Sequence, residues 1–379
     1  MRVITLILLV FISIISSGQC LNADFEYGDF TGWSGRRGSC CPINLPFPGI
    51  VPGRHTIMTP GIDPHSCGNL NTVYQGGFSA RLGNDNVESQ AEGLQYTFTV
   101  DPLSTLVQYA YAVVFQDPGH DDGEQPIFNS RVRLMDGSIV ECTEYSISAG
   151  PNLPDYSYCD EFDVLGNPIQ VAYSDWRIIA IDLSAQVGQI VTLEFEVGDC
   201  DLGAHYGYAY IDAISCGPVE SSLHYCQADD MILIEGPEGF ATYDWNTGDT
   251  DRVITIETGE YDVLYCDVTT ITGCELTIEI QLDPIGLLAQ IECEDVCLGE
   301  ITSFINNTPD INGYTIEFLW DFGDGSTSTE FAPTHTYSSP GEYTVIITVS
   351  VVGEICADFK TCIVEIYEIP QILGVISHD

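Results

Sequence analysis

Apolar and polar residues alternate along most of the chain in short runs broken by Gly, Pro, Asn and Asp. In the clearest run, Tyr343, Val345, Ile347 and Val349 fall on one face while Glu342, Thr344 and Thr348 fall on the other. That is the period-two pattern of a half-buried strand. Similar runs predict strands over 93–100, 106–114, 130–135, 177–182, 190–197 and 207–214. No amphipathic pattern extends beyond two helical turns, so the spacing predicts an all-β chain. The one long apolar run, Val3 to Ile15, follows Arg2 and leads into Ser16, Ser17 and Gly18. It reads as a signal peptide over 1–18, too short to span a bilayer, which takes roughly 20 apolar residues. Acylation of Cys20 is the alternative, but it would want a small residue where Gln19 stands.

A repeat divides the C-terminal half of the chain. Gly259-Glu-Tyr-Asp-Val-Leu-Tyr265 returns as Gly341-Glu-Tyr-Thr-Val-Ile-Ile347, and each copy comes after a tryptophan strand, Tyr243-Asp-Trp245 and Leu319-Trp320-Asp321. Two copies of one sandwich in tandem are expected, at 219–286 and 287–368. The stretch 19–218 lacks the repeat and reads as one larger β-sandwich, while 369–379 is a tail or the start of a further segment.

Charge narrows the partners. The chain has 56 acidic residues against ten basic ones, a formal charge of −46. A surface so poor in cations cannot supply counterion release to a nucleic acid and is repelled by anionic lipid, so DNA, RNA and direct membrane insertion are excluded. The 15 cysteines lack paired Cys-x2-Cys motifs with partnering His, so disulfides in an exported protein are a better reading than zinc.

Trp320-Asp-Phe-Gly-Asp-Gly-Ser326, His335-Thr-Tyr337 and Gly341-Glu-Tyr-Thr-Val345 together resemble the PKD family. The resemblance implies an Ig-like sandwich without catalysis, with Trp320 between the sheets. Asp321 and Asp324 read as turn residues, since the ligand order of a calcium-binding EF-hand is not met. The resemblance also suggests a Cys297–Cys356 bridge, which leaves Cys293–Cys362. The middle copy resembles Ig-like repeats of Bacteroidetes surface proteins, with Cys226–Cys274 as its expected bridge. Cys266, opposite Tyr261, Val263 and Tyr265 in parity, is expected to face outward and stay unpaired.

Asn22-Ala-Asp-Phe-Glu-Tyr-Gly-Asp-Phe-Thr-Gly-Trp33 resembles the opening strand of galactose-binding-like jelly rolls. Gly53-Arg-His-Thr-Ile-Met58, Ser79-Ala-Arg-Leu-Gly-Asn84, Phe115-Gln-Asp-Pro-Gly-His120 and the run from Asp199 to Asp212 resemble a domain of large secreted proteins of gliding Bacteroidetes, of the type IX-secreted adhesin type. Proteins of that kind commonly end in a sorting domain, which the tail does not supply. In such jelly rolls the first and last strands pair antiparallel. A Cys20–Cys216 bridge across that pair would set Asp24 opposite Asp212, and facing carboxylates call for a cation. Calcium held by Asp24, Glu26 and Asp212 is therefore expected. The acidic loop with Asp117, His120, Asp121, Asp122 and Glu124 is a weaker candidate for ligand recognition.

Cys142 and Cys159 flank one short excursion and are expected to pair. Adjacent Cys40 and Cys41 cannot easily bond each other, so each should take one of Cys67 and Cys200; the choice stays open.

Neither Gly-x-Ser-x-Gly nor His-Glu-x-x-His occurs. The function expected is that of a secreted or surface-attached, non-catalytic adhesion protein, its jelly-roll head binding a glycan or protein on a surface or matrix. The Ig-like and PKD modules would form the stalk. A self-associating subunit of a filament or matrix is one alternative. A carbohydrate-binding accessory protein is the other, with Trp33, Trp176, Tyr206 and Tyr208 as the aromatics to test.

Overall fold

A computed structural model describes residues 20–103, 105–117, 124–150, 156–162, 168–200, 205–217, 220–227, 229–311, 313–353 and 356–368. The expected signal peptide and tail lie outside the described residues. The chain is all-β, with one short 3-10 turn at Ser184–Gln186 among the described residues. No described helix is long and apolar enough to cross a membrane.

Two antiparallel sheets form a jelly-roll sandwich at the N-terminal end. One runs, in spatial order, Asn44–Pro48, Trp33–Ser39, Gln90–Thr99, Ile190–Gly198, Ile127–Leu134 and Tyr145–Ser148. The other runs His55–Met58, Ser79–Gly83, Gly207–Gly217, Leu106–Asp117, Pro168–Ser174 and Tyr156–Phe162, with Arg177–Asp182 also paired to Leu106–Asp117. Alternation supplies the core: Leu94, Tyr96 and Phe98 from the first sheet meet Tyr109, Tyr111, Val113 and Phe115 from the second. The expected opening strand is absent. Residues 20–32 form turns, with Asn22 and Phe25 at positive φ. Phe25 then stacks on Trp33 at 4.7 Å.

The second sheet is apolar on its outer face as well. Ala112, Val114, Val171, Tyr173, Tyr206, Tyr208 and Tyr210 lie there, and residues 59–73 cross over them with Leu70 buried beneath. Asp63 anchors this crossing segment. Its Oδ2 accepts from the Tyr208 and Tyr210 hydroxyls, each at 2.7 Å, and Cys67 is bonded to Cys159.

Next in the chain, Glu220–Cys226 pairs parallel with Glu275–Ile285, beside which lie Val263–Thr270 and then Phe240–Trp245. Met231–Glu235 and Val253–Glu257 make the facing pair. Trp245 sits in this core, its indole donating to Asp251 O at 2.9 Å. The third unit repeats the arrangement. Val296–Cys297 lies parallel to Ala357–Tyr367, and Gly341–Val351, Ile316–Asp321 and Thr327–Ser328 complete the sheet in that order. Trp320 is fully buried and donates to Glu330 O at 2.9 Å. The two copies differ in parity. Val345, Ile347 and Val349 face the core in the later copy, whereas Leu264, Cys266 and Val268 do so in the earlier one. A bend at Asp262 delays the strand and moves its faces by one residue. Cys266 is accordingly buried and unpaired in the core, not outward, and burial pushes its thiol up to about 11.

Six disulfides occur among the described residues. Cys20–Cys216 and Cys293–Cys362 are two of them. The expected Cys142–Cys159 pair does not form, because Cys142 lies beside the edge of one sheet and Cys159 on the edge strand of the other. Cys142 bonds Cys274, in the turn of the second unit that faces the sandwich. The expected Cys226–Cys274 and Cys297–Cys356 pairs give way to Cys226–Cys356, since Cys226 packs into the core of the third unit. Cys297 remains an exposed thiol. Cys40 and Cys41 bond each other, and neither takes Cys67 or Cys200.

Candidate ligand cleft

The residues expected to hold calcium do not converge. Residues 20–24 form turns, so no strand sets Asp24 opposite Asp212. Asp212, almost fully buried, accepts from the amides of Tyr74 at 2.7 Å and Gln75 at 3.2 Å. Glu26 accepts from the amides of Gly77 and Phe78, and Asp24 caps its own turn through the Glu26 amide at 3.3 Å. Backbone N–H groups are the partners of these oxygens. No group of three or more His, Cys, Asp or Glu among the described residues is arranged to hold a metal. Of the acidic loop, His120, Asp121 and Asp122 lie outside the described residues. Asp117 ends its strand and Glu124 is half-buried.

Most of the aromatic candidates are internal. Trp33 is in the core, while Tyr206 and Tyr208 lie under the crossing segment, where burial and the Asp63 charge push the Tyr208 hydroxyl strongly up. The outer face of that sheet is closed to ligand by the chain itself. His65, on the same segment, holds Glu161 at 2.9 Å and Asp85 at 3.6 Å.

Trp176 is different. It lines a cleft of about 530 Å³ between the sandwich and the second unit, with Tyr74, Ile178, Glu238, Phe240 and Tyr243. That volume is within the range of sites for small molecules. The Tyr74 and Trp176 rings lie 5.7 Å apart, tilted by 49°, and Tyr74 is 40% exposed. Trp176 is fixed by its indole N–H, which donates to Asn71 O at 2.9 Å. On the opposing wall Phe240 and Tyr243 meet edge to face at 6.3 Å, and the Tyr243 hydroxyl donates to Pro237 O at 2.6 Å. Glu238 hydrogen-bonds the Tyr74 hydroxyl; burial first, and then this carboxylate, push that hydroxyl above its ordinary range. Arg252 Nη2 contacts Glu235 at 2.7 Å and Glu238 at 3.4 Å. Aromatic faces on both walls, with a carboxylate and a guanidinium among them, offer stacking surface and both hydrogen-bond roles.

Two attachments hold the walls. At one end Gln108 Nε2 donates to Glu238 O at 2.7 Å and the Ala180 amide reaches Gly239 O. At the other, Cys142–Cys274 closes the junction, and the Thr272 hydroxyl donates to Cys142 O at 2.8 Å. Sequence reasoning named Trp176 but missed Tyr74, Glu238, Phe240, Tyr243 and Arg252, because the cleft exists only once the units are docked.

The turn after Trp320 has the chemistry its residues imply. Asp321 accepts from the Gly323 amide and Asp324 from the Ser326 amide, both at 2.9 Å. His335 Nε2 lies 2.8 Å from Asp324. Burial works against the Asp324 charge, but the His335 and Ser326 hydrogen bonds outweigh it and hold its carboxyl below the ordinary range. Gly323 has φ +79°, and a Cβ there would stand 2.5 Å from Thr344 O.

A model of the PKD domain matches residues 290–361, and this part of the chain is a PKD domain. A microbial collagenase of Vibrio alginolyticus is 52% identical over 54 residues, 14% of this chain and 7% of that protein. Collagenase ColA of Bacillus cereus is 39% identical over 90 residues, 24% of this chain and 9% of its own. The chain thus spans less than a tenth of the length of these curated relatives. Among solved structures, the PKD1 domain of the Vibrio cholerae metalloprotease PrtV is 32% identical, covers 22% of this chain and 98% of its own, and has a TM-score of 0.20. TmCBM61 in complex with beta-1,4-galactotriose is 11% identical over 51% of this chain and 93% of its own, with a TM-score of 0.29.

Proposed function

We propose that this chain is an extracellular, non-catalytic binding protein that takes a neutral glycan in the cleft between its first two units. The observation that carries the reading is the cleft itself, where Tyr74 and Trp176 face Phe240 and Tyr243 with Glu238 and Arg252 alongside. Ring faces carry negative charge and suit the polarised C–H faces of a sugar, while the carboxylate and guanidinium accept from and donate to hydroxyls. The formal charge of −46 repels uronic acids and sulfated sugars, which favours a neutral ligand. Six disulfides among the described residues support an oxidising location. In this reading the second unit supplies one wall of the cleft, the third unit is the stalk, and the protein acts by attachment.

A glycan array and then isothermal titration test this. Neutral glycans should bind, and Tyr74→Ala or Trp176→Ala should weaken binding at least about tenfold, the loss of one good contact. Tyr74→Ala should lower the melting temperature only modestly, since the residue is 40% exposed and gives up one ring contact and one hydrogen bond. An array with no neutral ligand, or binding indifferent to both substitutions, would remove the cleft as the site.

A further inference from the structure

The disulfides do more than tie strands together; their order along the chain decides how far the molecule can be drawn out. Cys20–Cys216 closes a loop of sequence separation 196, and Cys226–Cys356 closes one of 130. The first bridge joins the start of the sandwich to its last strand. The second joins the first strand of the middle unit to the residue preceding the last strand of the PKD unit.

The shortest covalent path from Cys20 to Glu368 therefore crosses to Cys216, runs along the backbone to Cys226, crosses to Cys356 and continues to Glu368. Nearly all of both sandwiches and most of the PKD unit hang off that path as closed loops. The path holds about 22 backbone residues, or ~80 Å fully extended, whereas the unbridged chain would reach ~1,200 Å.

Most described residues of both stretches left on the path are held in sheets. Between Cys216 and Cys226 lies Glu220–Cys226, in parallel register with Glu275–Ile285 over seven residue pairs from Glu220↔Glu279 to Cys226↔Ile285. Beyond Cys356 lies Ala357–Tyr367, paired with Gly341–Val351 on one side and with Val296–Cys297 on the other. Cys142–Cys274 lies off the path and fastens the two loops to one another, while Cys293–Cys362 fastens the second loop to the path at Cys362.

We infer that the chain is an inextensible link, able to carry tension between its two ends without lengthening appreciably even when its units lose their fold. A stalk of independently stapled modules releases backbone at every linker. Here one bridge spans the junction of the second and third units and removes that linker from the path. The property is independent of any ligand in the cleft.

Single-molecule pulling on residues 19–379 with handles at both ends tests this. Under oxidising conditions the fully stretched protein should reach about 33 residues of backbone, the path plus the eleven residues after Glu368, or ~120 Å. Reductant should raise this roughly tenfold. Because Cys67–Cys159, Cys142–Cys274 and Cys293–Cys362 remain as shortcuts, Cys226→Ser with Cys356→Ser should add about 61 residues of contour, and Cys20→Ser with Cys216→Ser about 67. If a double variant fails to fold, peptide mapping of the unreduced native protein supplies the second measurement, and it must recover Cys226 bonded to Cys356. Extensions of hundreds of residues without reductant, or a map lacking that bridge, would overturn the inference.

Discussion

The amide of Ala180 donates to the carbonyl of Gly239 at 3.3 Å, joining the sandwich to the second unit. Gly239 has φ +93°, and a Cβ at that position would stand 2.8 Å from the Ala180 nitrogen. Any side chain must therefore leave a backbone region that L residues avoid and also push the two backbones apart. Gly239→Ala should cost about 1–3 kcal/mol and loosen this end of the cleft. Hydrogen exchange at the Ala180 amide is the direct readout. Unchanged protection with an unchanged melting temperature would mean that the contact does not hold the junction.

Acid should stabilise the sandwich. Glu92 is pushed up to about 7, by burial first and by Asp199 as well, and Arg54 beside it offsets only part of this. Asp199 is pushed up to about 6 by burial, against the amides of Gln90 and Gly207. In the unfolded chain both carboxyls release their protons near 4, so the folded state holds protons the unfolded state has lost. The stability this contributes is complete below about pH 4 and is lost as pH rises through 6 and 7. At about 1.4 kcal/mol per unit the effect is on the order of a few kcal/mol. Denaturant midpoints at pH 4.5, 6 and 8 should fall in that order. General repulsion among the carboxylates acts in the same direction, so Glu92→Gln is the control and should flatten the slope. An identical slope in the variant would assign the effect to overall charge.

Asp212 and Asp24 should behave unequally. Asp212→Ala strands two backbone amides that the carboxylate now satisfies, at a cost of about 1–3 kcal/mol each. Asp24→Ala removes one exposed turn contact and should cost less than about 1 kcal/mol. Melting temperatures of both variants, with and without chelator, check this. A chelator-dependent fall in the native protein would restore calcium to this corner.

Strand content was legible because parity is a local property: Val345, Ile347 and Val349 emerge from counting by two. Cys266 shows where counting fails, since a single bend at Asp262 exchanges the faces of everything after it. The disulfides between units were not legible at all. Pairing depends on which surfaces dock, and Cys142 and Cys274, 132 positions apart, carry no local sign of each other. The covered face of the seven-stranded sheet did leave a signal. Tyr206, Tyr208 and Tyr210 alternate onto one face, and three buried hydroxyls call for acceptors. Asp63 answers two of them from a segment whose own sequence reads only as a turn.

The thiol of Cys266 gives the second unit an internal clock. It lies beside Trp245 without a disulfide partner, while Cys297 stands exposed on the neighbouring unit. An alkylating reagent should meet Cys297 at once and Cys266 only when the core opens. The delay between labelling at these two sites, resolved by peptide mapping, would report how often that unit breathes in the native sequence.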